Sequence, residues 1–174
     1  MITIICTTNR PQSMTLKMCK IFLGLLQRRG IEGAVFSMEQ LPADFLSEDF
    51  FGKSTPALKN LVNKYIVPAE KLVFISPEYN GSFPGIFKAF IDAGDVYKYF
   101  AEKKAVLIGI SSGRAGNLRG LDHLTDIFHH LQMEVLSFKV PVSRVQDEID
   151  EKGHLVKPAT LKVLEKQIDL FLKF

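Results

Sequence analysis

The nine residues Pro77 to Gly85, PEYNGSFPG, place a carboxylate, a phenol, a carboxamide and a hydroxyl among two prolines and two glycines. Proline and glycine hold such a run to a tight backbone path, and the polar side chains between them are left to face a ligand. Tyr79 offers an aromatic face, Gly81 lets backbone amides approach a ring edge without a Cβ, and Asn80 can bond either a ring or the loop itself. These are parts of a wall for a planar molecule. Glu78 has three readings: it orients backbone groups of the loop, pairs with Arg10 or Arg114, or stands in water.

Two other stretches carry complementary chemistry. Thr7 to Thr15, TTNRPQSMT, combines four hydroxyls and one guanidinium with the start of a helix. The unpaired N–H groups and positive dipole end of a helix attract an anion, to which Thr8, Ser13 and Thr15 can add hydrogen bonds and Arg10 a charge. Plain helix capping by Ser13 is the competing reading. Ser111 to Gly120, SSGRAGNLRG, joins Gly113 and Gly116, which permit close backbone approach, to Arg114 and Arg119 near another helix start. Ordinary turn formation competes there. Loops suited to an anion, a ring and a close backbone contact are more specific together than any one alone.

Whether the loops meet depends on the elements around them. Ile2 to Cys6 reads as a strand, and Leu16, Cys19, Leu23 and Leu26 recur at helical spacing behind it. Gly33 to Ser37 forms a second strand, followed by an aperiodic excursion from Met38 to Lys53 with the aromatics Phe45, Phe50 and Phe51. Thr55 and Pro56 supply a cap and first-turn residue for a helix with the stripe Leu58, Leu61, Val62 and Tyr65, which Pro68 ends. Lys71 to Ser76 is the third strand. A helix starting at Pro84 or Gly85 turns Ile86, Phe87, Phe90 and Ile91 inward, and Lys104 to Ile110 is a fourth strand with the apolar continuity of a central parallel one. Leu118, Leu121, Leu124, Phe128 and Leu131 mark the next helix, Glu134 to Phe138, reaching towards Val142, the fifth strand, and Leu161, Leu164, Ile168 and Phe171 the last helix.

Five strands alternating with five helices predict an α/β fold, a doubly wound five-stranded parallel sheet with helices on both faces in the flavodoxin-like order 2-1-3-4-5. In that order the loops after strands one, three and four open at one carboxyl edge, the first two flanking the switch point. No GxGxxG run follows the first strand and no GxxxxGK[ST] loop occurs, which disfavours a dinucleotide-binding domain and a nucleoside triphosphatase.

The 174 residues, 47% of them apolar, suit a single domain over 1–174 with no repeat or linker. A net charge of +3 from interspersed charges gives no reason to expect nucleic acid, and no apolar run approaches the roughly 18 residues of a membrane span. Cys6 and Cys19 fall on buried phases and match no metal or CxxC spacing; with no secretory signal, they point to a cytoplasmic protein. His123, His129 and His130 share a helix without the spacing of a metal site, and His154 sits in a charged connector. The aromatic cluster reads as core packing, or as a subunit contact or a cover beside a ligand.

Residue by residue, the chain resembles the NAD(P)H-dependent FMN reductase family of flavodoxin-like proteins, whose first loop runs close to GSxRxxSxN and whose second runs PEYNGSxPGxLKNxxD. Thr8, Arg10 and Ser13 match the first pattern, with Thr7 where Gly is usual and Thr15 where Asn is usual. Pro77 to Ser82, Pro84, Gly85, Lys88 and Asp92 match the second, with Phe87 and Ala89 for Leu and Asn. The resemblance extends over the whole chain. It implies an FMN phosphate held by Thr8, Arg10, Ser13 and Thr15, and a flavin ring bordered by Pro77, Glu78, Tyr79, Asn80 and Gly81 and, beyond it, by Ser112, Gly113 and Gly116. It implies further that NADPH or NADH reduces bound FMN by hydride transfer to N5 and that electrons pass to a small-molecule acceptor, a free flavin, quinone or azo compound, in a homodimer or homotetramer. No side-chain acid, base or nucleophile and no metal is called for. An FMN-binding electron carrier and a flavin-free regulatory module on the same fold are the alternatives.

Overall fold

Apolar runs rich in Ile, Val and Phe, set between amphipathic segments, form alternating strands and helices in the computed structural model, which describes residues 1–46 and 55–174. The strands are β1 (Ile2–Cys6), β2 (Gly33–Ser37), β3 (Lys71–Pro77), β4 (Lys104–Ile110), β5 (Glu134–Val135) and β6 (Val140–Val142). The helices are α1 (Met14–Gln27), α2 (Pro56–Tyr65), α3 (Gly85–Asp92), α4 (Val96–Phe100), α5 (Leu118–His130) and α6 (Pro158–Lys173). All paired strands are parallel, in the order β2-β1-β3-β4-β5, with β6 also on β4. The order is the one expected from the sequence.

Alternation along the strands divides the core between the two faces of the sheet. Ile4, Val73 and Val106 lie in register and pack with Phe22 of α1 and Ile168 and Phe171 of α6. The next residues along, Ile5, Phe74 and Leu107, face Val62 of α2, Phe87 and Phe90 of α3 and Phe128 of α5. Phe74 and Phe128 are tilted against each other with ring centroids 4.4 Å apart. Every one of these side chains is at most 1% exposed, and full burial of such a side chain stabilises by about 1.5–3 kcal/mol.

Several expectations change. The fifth strand is two: β5 and β6 both lie along β4, Leu136 N still donating to Ala105 O at 2.8 Å and residues 137–139 leaving the ladder between them. The buried Gln167 of α6 takes the vacated position, its Nε2 donating to Leu107 O at 3.0 Å and to Phe138 O at 2.8 Å, so a side chain satisfies carbonyls that a ladder would have paired. Helix α1 buries Met18, Cys19, Phe22, Leu25 and Leu26, while the expected Leu16 and Leu23 are only half-buried at the edge of that core. Leu16 and Leu23 flank the buried stripe along one edge, so the spacing of the apolar residues left the phase of the helix open within that wide apolar arc. Leu118 is 51% exposed in the first turn of α5, at the rim of the sheet. A sixth helix, α4, had no periodic signal in its five residues.

Thr55 and Pro56 start α2 as expected, with Thr55 Oγ1 accepting from Leu58 N at 3.3 Å. Cys6 and Cys19 are free and buried, and burial pushes the Cys19 thiol up. Of the aromatic cluster, Phe45 is buried in the core under α2 and α3; Phe50 and Phe51 lie outside the described residues, as does the end of the excursion before Thr55.

Candidate functional site

The carboxyl ends of β1, β3 and β4 open onto one cavity of about 390 Å³, within the size range of small-ligand pockets. From the first loop it is lined by Arg10, Pro11, Gln12 and Ser13, continuing into Met14 and Thr15 of α1; from the second by Pro77, Glu78 and Tyr79; and from the third by Ile110, Ser111 and Ser112, with Val145 from beyond β6. Seven of the twelve expected residues therefore share this wall: Arg10, Ser13, Thr15, Pro77, Glu78, Tyr79 and Ser112.

The first loop presents a helix end. Ser13 caps α1 by accepting from Leu16 N at 3.1 Å through Oγ, which leaves the hydroxyl proton to donate outward. Capping and anion binding are thus not competing roles here. No acidic residue occupies the first turn of α1, so the first-turn N–H groups and the exposed Arg10 make a cationic corner. Thr7, where the family pattern has Gly, is fully buried beneath the loop, and its Oγ1 has no partner among the described residues.

Thr8 does not line the cavity; it fastens one wall to another. Its Oγ1 shares a hydrogen bond of 2.8 Å with Tyr79 OH and accepts from Arg10 N at 3.2 Å. The phenol that sequence offered as a ring face is therefore fixed at its far end by the first loop. Asn80 and Gly81, with φ of 52° and 76°, form a two-residue turn closed by Tyr79 N to Ser82 O at 2.8 Å and Ser82 N to Tyr79 O at 3.1 Å. This Asn-Gly pair is the usual solution for a type I′ turn. Asn80 is exposed, and both residues return the chain in this turn and lie off the cavity wall. A Cβ at Gly81 would stand 3.0 Å from Arg119 Nη1, and His123 Nδ1 bonds Ser82 Oγ at 2.9 Å, so α5 holds the turn from outside.

The third loop is ordered from within. Ser111 Oγ accepts from Gly116 N at 2.9 Å and donates to Gly113 O at 3.1 Å. Arg144 N also donates to Gly113 O, at 2.9 Å. Gly116, at φ 56°, abuts Pro141 so closely that a Cβ would come within 2.7 Å of it. Neither glycine lines the cavity: Gly113 sits in the turn and Gly116 is packed against Pro141. The backbone N–H groups of Ser112, Gly113 and Arg114 have no hydrogen-bond partner among the described residues. Asn117, wholly buried at φ 63°, donates from Nδ2 to Ser76 O at 3.1 Å and Pro77 O at 3.0 Å, tying the third loop to the end of β3.

Among the described residues Glu78 is the one carboxylate on the cavity wall, and it forms no ion pair with Arg10 or Arg114. Its backbone N–H donates to Ile110 O at 2.9 Å. Lys88 and Asp92, conspicuous in the second motif, pair with each other on exposed α3 at 2.6 Å. The three histidines of α5 are exposed. Sequence reasoning missed Val145, which arrives only because β6 returns the chain to the β4 edge, and the organising roles of Ser111 and Asn117. A polar residue just before a glycine turn and an Asn just before a helix were the available signals.

The model of the family described as NADPH-dependent FMN reductase matches residues 1–147. An NAD(P)H-dependent FMN reductase of Pseudomonas aeruginosa is 29% identical over 125 residues, covering 70% of this chain and 68% of that protein. An FMN-dependent NADH:quinone oxidoreductase of Clostridium perfringens is 28% identical over 194 aligned positions, covering 95% and 94%. Among solved structures, the flavoenzyme NAD(P)H:(acceptor) oxidoreductase of Paracoccus denitrificans has a TM-score of 0.80 at 23% identity, over 99% of this chain and 94% of its own, a likeness of fold. An archaeal flavodoxin has a TM-score of 0.60 at 12% identity, over 99% and 98%.

Proposed function

This chain belongs to the NADPH-dependent FMN reductase family, and from that membership we propose that the cavity between Arg10 and Tyr79 is where it holds FMN. The activity is that of an FMN-dependent oxidoreductase with NAD(P)H as reductant. The observation that carries the site assignment is the meeting, in one cavity, of an acid-free helix end with an aromatic wall whose hydroxyl is bonded to the same loop.

The donor set fits the cofactor. Arg10, the hydroxyls of Ser13 and Thr15 and the first N–H groups of α1 suit a phosphate; Tyr79 and Pro77 suit a ring; the unpartnered N–H groups from Ser112 onward suit the acceptor atoms on a ring edge. When bound, FMN supplies the ring that takes a hydride from nicotinamide and hands electrons to an acceptor. The chain's own work is to bind and orient. Thr8 holds the Tyr79 phenol, Asn117 holds the end of β3, and Ser111 fixes the turn that presents the donors. Glu78 stands on the wall, and no side chain is assigned a proton-transfer step. The final acceptor we take to be a small molecule such as a free flavin, a quinone or an azo compound.

Self-association as a homodimer belongs to the same reading. An open groove of about 630 Å³ between α3 and α5 has a floor of the buried Ile91 and Leu131 and the half-buried Ile127, rimmed by the Lys88–Asp92 ion pair and by Asp126 and His130, and we take it as the face that a second copy covers. A cytoplasmic location accords with the two free, buried thiols; among the described residues no helix is long and apolar enough to cross a membrane.

The test is a visible spectrum of the purified protein, followed by NADPH or NADH without oxygen. A yellow protein that bleaches is expected. Arg10→Ala with Ser13→Ala removes a charge-assisted contact and a hydroxyl, together about 1.5–3 kcal/mol, so FMN affinity by calorimetry falls about 10- to 100-fold; unchanged affinity refutes the phosphate assignment.

A further inference from the structure

A second cavity, larger than the first at about 570 Å³, lies on the outer side of α1 and shares no lining residue with it. One wall is a single face of α1, where Lys17, Lys20, Gly24 and Arg28 follow at helical spacing. The opposite wall is the turn from Ile149 to Leu155, which brings Lys152 and His154, and the floor is apolar, from Ile21, Leu155 and Leu161. Glu151 is the one carboxylate on this wall, and Lys17, Lys20, Arg28 and Lys152 make no ion pair among the described residues. Four cations with one anion over an apolar floor are an arrangement that repels itself until an anion enters.

Gly24 is a second and independent sign. A glycine in the middle of a helix is less stable there than alanine, and such a residue ordinarily has a packing reason. Here it has none: a Cβ added to Gly24 would meet nothing within 4 Å. Its missing side chain leaves the groove open between Lys20 and Arg28. The facing turn is held in place by Asp150 N to His154 O at 2.9 Å, His154 N to Asp150 Oδ1 at 2.8 Å and Gly153 N to Asp150 O at 3.0 Å, so both walls stand ready before a ligand arrives.

We propose that this groove binds a small organic anion with an apolar body, such as an aryl or acyl carboxylate, sulfonate or phosphate, at a site separate from the FMN cavity. The anionic group sits among Lys17, Lys20, Arg28 and Lys152, and the apolar body lies over Gly24 against Ile21, Leu155 and Leu161. The inference does not depend on the identity of the ligand in the first cavity.

The probe is 2-naphthalenesulfonate, titrated by calorimetry into the full chain saturated with FMN, with amide NMR shifts recorded in parallel. Expected is one binding event whose shifts centre on Lys20, Gly24 and Gly153. Neutral 2-naphthol should bind about tenfold more weakly or worse. Gly24→Leu, which fills the floor, and Lys20→Glu with Arg28→Glu, which reverses its charge, should each weaken the sulfonate about tenfold or more while FMN affinity stays unchanged. No binding at millimolar concentration overturns the proposal, as do variants that bind within about twofold of the parent or shifts confined to Arg10–Thr15 and Pro77–Tyr79. A hexaglutamate peptide that competes equally in the parent and in Gly24→Leu would also overturn it, since that result describes a charged surface and no pocket.

Discussion

Replacing Asn117 with alanine deletes a wholly buried carboxamide that joins the glycine turn after β4 to the end of β3. Ser76 O and Pro77 O each lose a donor, and a buried group left unsatisfied costs about 1–3 kcal/mol. Ser76 Oγ also donates to Pro77 O, at 3.4 Å, so the lower part of that range applies, about 1 kcal/mol for each carbonyl. Asn117 has φ 63°, and it bears the strain of a Cβ there as alanine would, about 1–2 kcal/mol that only glycine relieves. The expected loss for alanine is therefore that of the two hydrogen bonds, about 2 kcal/mol, a sizeable share of the 5–15 kcal/mol typical of a domain. With an m-value of about 2–3 kcal/mol per M, the urea midpoint falls by about 0.7–1 M. Asn117→Gly relieves the strain but restores neither hydrogen bond, so it should lie between the parent and alanine. FMN affinity should weaken in both variants, because Glu78 and Tyr79 follow directly on the carbonyls that Asn117 holds. A loss under about 1 kcal/mol for alanine, or glycine no better than alanine, refutes the reasoning.

Thr8→Val and Tyr79→Phe each remove one hydroxyl of a 2.8 Å pair; a double-mutant cycle on FMN-free protein should give about 0.5–1.5 kcal/mol of coupling by urea unfolding, and zero coupling would break the link drawn between the two loops. Gln167→Leu leaves Leu107 O and Phe138 O without their donor, so about 2–3 kcal/mol of stability is lost, with faster amide exchange concentrated at Leu136–Val142. Gly81→Ala meets a φ of 76°, and thermal unfolding should register about 1–2 kcal/mol, little of it recovered when Arg119→Ala accompanies it, because the strain lies in the backbone and the guanidinium end can move aside. Hydrogen bonds from His154 N foremost, and also the His154 charge, hold the Asp150 carboxyl below its ordinary 3.8. A carboxyl lowered by folding contributes stability above its ordinary value that is lost as pH falls through the lowered one, so the melting difference between parent and Asp150→Ala should be present at neutral pH and shrink on acidification below 3.8.

Much of the fold was open to local reading. The strand at Lys104–Ile110 is continuously apolar because both its faces are covered, and Thr55-Pro56 announces α2 because a cap and a preset φ are properties of the residues themselves. Strand order then placed the three loops at one edge, and seven of the expected residues line the cavity there. Asn80 and Gly81 also form a turn, which only the paired Tyr79–Ser82 bonds show.

What the sequence determined by itself is what depends on neighbours along the chain: burial periodicity, caps, turns, and the identity of loops able to hold an anion beside a plane. Tertiary structure alone decided the contacts between distant residues. Gln167 fills the gap between β5 and β6 by reaching Leu107, 60 positions away, and Thr8 anchors Tyr79, 71 positions away. Gly116 has no room for a side chain because Pro141 lies against it. Each of these depends on which polar group or backbone comes within about 3 Å once the sheet is assembled, and no local propensity encodes that.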